Sequence, residues 1–223
     1  MRTSRRSDIA GCAVMFSLCA MLGLLGGCAM LTPSRVPEIK LYMLDGDDTP
    51  PAVAASGSLT VTVNPPRAAA GFDSPRMVYV RAEHQLEYFA QSAWVESPAD
   101  MLAPLLVRAI ARQGAFRASM SPGSRARSDV QMEVEILRLQ QEFDGLPSRV
   151  RFTLRVGLVA SADRRVLATR EFESIVASSS EDARGGVVAA NLATRRVLAD
   201  VANWSGTVAQ QWRDSRNQQQ SKP

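Results

Sequence analysis

The stretch VQMEVEILRLQQEFDGLPSRVRFTLRVGLVASADRRVLATREF, residues 130–172, decides the fold. Val130, Met132, Val134 and Ile136 alternate with polar neighbours. Successive side chains of a strand point to opposite faces, so this alternation is a strand with one buried face. The apolar phase then slips to Leu137 and Leu139, which marks one inserted residue, a bulge. Asp144-Gly145-Leu146-Pro147 is turn chemistry. Val150, Phe152, Leu154, Val156 and Leu158 alternate strictly against Arg149, Arg151, Thr153 and Arg155. Ala162-Asp163-Arg164-Arg165 turns the chain again, and Val166, Ala168 and Phe172 mark a third strand. Strands joined by turns this short are antiparallel. Folding both turns sets Glu135 beside Arg155, and Arg155 beside Glu173, on the polar face. A catalytic carboxylate pair is one reading of these residues. The preferred one is a cross-strand charge ladder on an exposed face, each pair contributing a few tenths of a kcal/mol, on the order of 0.5.

Working outward, both flanks supply helices. Downstream, Ser178-Ser179-Ser180-Glu181 resembles a capping box. Val187, Ala190, Asn191, Thr194, Val197, Leu198, Val201 and Trp204 then follow as one stripe at helical spacing, with Gly185-Gly186 weakening the first turns. Upstream, Ser97 suits an N-cap, Pro98 the first helical position and Asp100 the positive end of the dipole. Met101, Leu102, Leu105, Leu106, Ala109 and Ile110 form its apolar stripe, and Gly114 ends it. Pro104 predicts a kink, or a start near Ala103. Earlier still, residues 39–44, 59–63, 76–81 and 86–90 read as short strands, and Asp45, Asp47 and Asp48 lie in a polar loop without the Gly and distal Glu of a calcium site. The expectation is α+β: a single domain at 39–204, a mainly antiparallel sheet with two main helices packed on one face. Residues 205–223 are expected to form a polar, largely disordered C-terminal tail.

Composition limits the chemistry. The 223 residues are 46% hydrophobic and 22% charged, with 26 basic and 22 acidic side chains, a net charge of +4. The basic residues are scattered, which argues against a nucleic-acid binder. The single histidine, His84, sits in a turn between two strands and reads as a solvated turn residue rather than a general base. Cys12, Cys19 and Cys28 all fall at the N-terminus, so the main domain has no Cys/His metal set and no disulfide framework. No Walker-type or G-x-S-x-G motif surrounds its Gly and Ser clusters, and no catalytic residue, metal site or cofactor is expected.

The N-terminus carries an address. Arg2, Arg5 and Arg6 precede an uncharged apolar run, Ala13–Leu25, too short to span a bilayer comfortably. Small residues and a cysteine follow, as at the end of a secretory signal. Leu25-Gly26-Gly27-Cys28 resembles the lipobox of bacterial lipoproteins. The resemblance implies a signal peptide at 1–27, a diacylglyceryl thioether on Cys28 and a lipidated tether at 28–38. One acyl chain holds a protein only marginally, so anchoring uses two or more. Ala29, rather than Asp, implies sorting to the outer membrane, facing the periplasm of a Gram-negative bacterium.

The ordered features from Cys28 to Trp204 resemble one family. They are the lipobox, Leu41-Tyr42-Met43-Leu44, Asp73-Ser74-Pro75-Arg76-Met77-Val78-Tyr79, Leu86-Glu87-Tyr88-Phe89-Ala90 with Trp94, the apolar helix ending at Gly114-Ala115-Phe116, and then the three strands and closing helix. The chain is similar to the ABC-type transport auxiliary lipoproteins, the PqiC-like, paraquat-inducible group. The resemblance implies a non-enzymatic envelope component. It would work with an inner-membrane permease, an ATPase and a periplasmic mammalian-cell-entry (MCE) protein to move lipids or other hydrophobic molecules. The alternative is an accessory lipoprotein of another outer-membrane machine, for lipopolysaccharide export or β-barrel assembly. The residues themselves suggest one contact patch. Tyr88 and Phe89 are strand neighbours and must point to opposite faces, so only one can join the core. The outward one, with Trp94, is the candidate contact for a partner or for copies of the chain in a ring.

Overall fold

The computed structural model describes residues 38–46, 55–121, 123–124 and 126–220, so Cys28, the expected signal peptide at 1–27 and most of the expected tether at 28–38 lie outside the described residues. In chain order the elements are β1 (Lys40–Tyr42), β2 (Thr60–Val63), β3 (Arg67–Ala68), β4 (Arg76–Val80), β5 (Glu87–Trp94), α1 (Pro98–Gln113), β6 (Ala118–Met120), β7 (Val130–Glu142), β8 (Arg149–Ala160), β9 (Val166–Ala177) and α2 (Ala183–Gln220). The nine strands form one sheet and the helices cover one of its faces, an α+β architecture.

The spine is β7. Along one edge it pairs antiparallel with β8 from Val130↔Ala160 to Glu142↔Arg149, and the expected bulge lies between Ile136 and Arg138. β9 extends the meander antiparallel to β8. Along the other edge β7 receives three short parallel strands end to end: β2 at Val130–Met132, β3 at Glu135–Ile136 and β4 at Gln140–Glu142. Asn64-Pro65-Pro66 and the Gly71–Pro75 segment keep these strands short, because proline cannot donate to a ladder. β4 pairs antiparallel with β5, β5 parallel with β1, and β2 parallel with β6. The sheet is therefore mixed: antiparallel between strands joined by a hairpin, parallel elsewhere.

The core lies between sheet and helices. Val130, Met132, Ile136, Phe152, Leu154, Val156 and Leu158 are fully enclosed, facing Leu102, Leu106 and Ile110 of α1 and Ala193, Val197 and Val201 of α2. α1 starts where its cap residues place it. The Ser97 side chain accepts the Asp100 amide, Pro98 is the first helical residue, and Gly114 closes the helix at φ 76°. The helix runs unbroken through Pro104 rather than starting near Ala103.

Two expectations about α2 are corrected. Its cap is Asp182, not the serine run. Asp182 Oδ1 accepts from the Gly185 amide at 2.8 Å and from Ser180 Oγ at 2.6 Å. These two bonds, the serine hydroxyl first, hold the Asp182 carboxyl below its ordinary value. Glu181 instead turns away to accept the Ser148 amide at 2.9 Å, joining the β7–β8 turn to the helix. The second correction concerns the polar tail expected from residue 205. α2 continues to Gln220, and Ser205, Ala209 and Trp212 are buried. These positions prolong the stripe of Val201 at helical spacing. Close approach permits it: a Cβ on Gly206 would lie 2.6 Å from the Ala115 side chain, so only glycine lets α2 pack on the end of α1 here. Packing of that apolar line overrides a composition that reads as disordered.

Candidate functional site

The β7–β8 hairpin brings Glu142 opposite Arg149, and Gln140 opposite Arg151. These pairs gather around one carboxylate that is only 10% exposed. Arg151 Nε donates to Glu142 Oε1 at 2.7 Å, Arg149 Nε to Oε2 at 2.9 Å, and Gln140 Nε2 to Oε1 at 2.9 Å. The two arginines continue outward, Arg149 to Asp144 at 2.8 Å and Arg151 to Glu173 at 2.9 Å. Burial pushes the Glu142 carboxyl up, but the bonds from Arg151, Arg149 and Gln140 outweigh it and hold the group down at about 2. The Arg151 guanidinium is held above its ordinary value, first by its bond to Glu142. A carboxyl ionised at every pH above that range is no proton donor near neutrality. The network is a fixed charged wall.

That wall lines a groove of about 660 Å³ between the β7–β8 hairpin and the β4–β5 turn, with Arg81, His84 and Arg138 on its rim. His84 sits at the turn with φ 63° and is exposed, as expected of a turn residue. Beside the groove stand three aromatic rings. Tyr79 and Phe89 lie 4.7 Å apart between centroids, Tyr79 and Phe143 5.9 Å, and Phe89 and Phe143 6.5 Å. Tyr79 Oη donates to Glu87 Oε2 at 2.8 Å and accepts from Arg81 Nη2 at 3.1 Å. The Tyr79 hydroxyl titrates above its ordinary range, chiefly through that bond to Glu87.

The structure separates the three aromatic residues singled out in the sequence. Trp94 is 5% exposed and belongs to the core. Phe89 is half-buried in the ring cluster. Tyr88 is half-buried elsewhere, with the Arg76 guanidinium 3.8 Å above its ring. Phe143 and the Glu142 network escaped the sequence reading, and Tyr79 entered it only as part of the family-like stretch 73–79. The signal was available: a Glu two residues before an Asp-Gly turn faces the first Arg after it once the hairpin closes.

The open sheet face carries the expected ladder with one change of partner. Arg155 meets Glu135 at 3.1 Å as expected, but its second partner is Glu171, at 2.8 Å, rather than Glu173. Glu173 instead takes Arg151 and the Thr153 hydroxyl. The hairpin closes with the Ala160 amide donating to Arg165 O, which slides β9 two residues from the expected register. Arg155 and Glu135 are 46% and 36% exposed, so the ladder faces outward. Among the described residues no group of His, Cys, Asp and Glu gathers to hold a metal, and no helix is long and apolar enough to cross a membrane.

The family model for the ABC-type transport auxiliary lipoprotein component matches residues 42–202, from β1 to the middle of α2. The chain belongs to that family. Among solved structures, this auxiliary lipoprotein is similar to protein XCC0632 from Xanthomonas campestris, of family DUF330, at 27% identity and a TM-score of 0.69, over 80% of this chain and 98% of that one. An uncharacterized protein shares the fold at 14% identity and a TM-score of 0.59, over 74% and 97% of the two chains. The PelC dodecamer from Paraburkholderia phytofirmans scores only 0.41 at 11% identity, over 68% and 91%. No curated protein matches the chain. The match ends at 202, so the overhanging half of α2, with Trp212, lies outside the family pattern.

Proposed function

We propose that this auxiliary lipoprotein is anchored through Cys28 to the periplasmic face of the outer membrane. There it serves, without catalysis of its own, an ABC/MCE-type system that moves lipids or other hydrophobic molecules across the periplasm. The observation that carries the reading is the family match across the folded domain, residues 42–202. The sequence Leu25-Gly26-Gly27-Cys28 supports the anchor and Ala29 the outer membrane. The groove beside Glu142 supports a docking role. The Glu142, Arg149 and Arg151 charges are already paired, so a partner that meets them finds a preformed surface and little side-chain freedom is lost on contact. We assign that partner to the MCE-domain protein, with Tyr88 under Arg76 as an outward aromatic contact and ring assembly as a second use of the same face.

Mass spectrometry, localisation, thermal melts and co-purification test this. Mass spectrometry of the mature N-terminus should find a lipidated Cys28, and Cys28→Ser should block processing and mislocalise the protein. A free thiol there would overturn the anchor. Tyr88→Ala should leave the melting temperature nearly unchanged while weakening co-purification with an MCE-domain protein. Phe89→Ala should lower the melting temperature by several degrees, because it unpacks Tyr79 and Phe143. If Tyr88→Ala leaves capture and assembly intact, the docking face lies elsewhere.

A further inference from the structure

Nine large apolar side chains are exposed among the described residues, and four of them lie on or beside the β1 edge. Ile39, Leu41 and Met43 are 56%, 63% and 61% exposed, on alternating positions of the β1 segment. Tyr42 and Leu44, on the opposite phase, turn inward as half-buried and buried residues. β1 is an edge strand, and Leu41 pairs with Ala93 of β5. Val95, 46% exposed, adjoins it, since its amide donates to Tyr42 O at 2.8 Å. The segment is pinned to α2: Asn191 Nδ2 donates to Met43 O at 3.3 Å and Asn191 Oδ1 accepts the Asp45 amide at 2.6 Å. Val188, 54% exposed, lies one turn before Asn191 on the same helix face. Edge strands of soluble proteins usually carry charge outward, and three successive outward apolar residues reverse that practice.

We propose that this patch rests on the lipid bilayer that holds the protein's own anchor, an inference that relies on the reading of Cys28 as the lipidated residue. The occupant follows from chain length. Eleven residue steps separate Cys28 from Ile39. Fully extended chain spans at most about 3.6 Å per residue, so the patch stays within about 40 Å of the anchored residue. It is also the first part of the folded domain that the anchored chain reaches. Confinement at that distance gives the patch a high effective concentration of membrane, so a weak apolar contact suffices. The charges named around it are net negative. Lys40 and Arg184 are outnumbered by Glu38, Asp45 and Asp182, which favours a contact led by apolar side chains rather than by attraction to anionic headgroups. The contact would fix the tilt of the domain on the membrane.

The test uses the full lipoprotein, extracted and reconstituted into vesicles of phosphatidylethanolamine and phosphatidylglycerol. Leu41→Cys, Met43→Cys and, as control, Thr207→Cys on an exposed turn of α2 are labelled with an environment-sensitive fluorophore. These side chains are exposed, so each variant should melt within about a degree of the parent. Brominated lipids should quench the labels at 41 and 43 at least two-fold more than the label at 207. Equal quenching at all three sites, with the protein still floating with the vesicles, overturns the proposal and leaves the anchor intact. Self-quenching at 41 without quenching by lipid means that a second copy covers the patch, which also overturns it. Failure of the wild-type protein to float, with an unmodified Cys28 by mass spectrometry, overturns the anchor and the bilayer contact together.

Discussion

The two edges of β7 are built differently. On one side β8 and β9, each 12 residues long, follow it through tight turns and pair along nearly their full length. On the other side strands of two to five residues arrive from distant parts of the chain and lie parallel. The first arrangement takes its register from the hairpin loops. The second cannot, because a parallel pair has no tight turn to set it. Its register comes from contacts such as Asp129 Oδ2, which accepts both the amide and the hydroxyl of Thr60 at 2.8 Å. The long meander is thus the frame, and the short strands are fitted to it. The groove lies where the two arrangements meet, at the hairpin end of β7 beside β4.

The sharpest way to break this contrast is Phe152→Ala. Phe152 is fully buried at the middle strand of the meander, and its truncation should cost about 3–5 kcal/mol by loss of burial and a residual cavity. Denaturant unfolding should show one transition moved to lower concentration, whereas a frame made of the short strands would lose far less. Trp212→Ala comes next. Trp212 is 9% exposed, so a packed α2 should lose about 3 kcal/mol, while a frayed tail would lose nothing measurable. Acid should then separate the groove from the rest. The Glu142 carboxyl is depressed in the folded state from its ordinary 4.5 to about 2. Its contribution is therefore complete above pH 4.5 and is lost as pH falls through 2, and at 1.36 kcal/mol per unit it amounts to at most about 3 kcal/mol. Glu142→Gln should flatten the stability profile in that window; an unchanged profile would show that the pair contributes nothing there. Smallest is Arg155→Ala. Its partners on the open face are well exposed, and the loss should stay below about 1 kcal/mol in thermal melts.

Much of the meander was legible because its information is local. Alternation at Val150–Leu158, the bulge after Ile136 and the caps of α1 each depend on neighbours within a few residues. The address expected at Cys28 is likewise a short linear pattern, and it lies outside the described residues. The exchange of Glu173 for Glu171 beside Arg155 shows the limit: a turn read a residue late moves every charge on the next strand by two places. The sequence by itself determined three long strands and two helices with their apolar faces. Only the tertiary structure decided which edge of β7 the short strands occupy, that Trp94 is buried while Tyr88 lies under Arg76, and that α2 stays helical to Gln220. Each of these depends on partners far along the chain, whose contact energies become available only after the loops between them have closed.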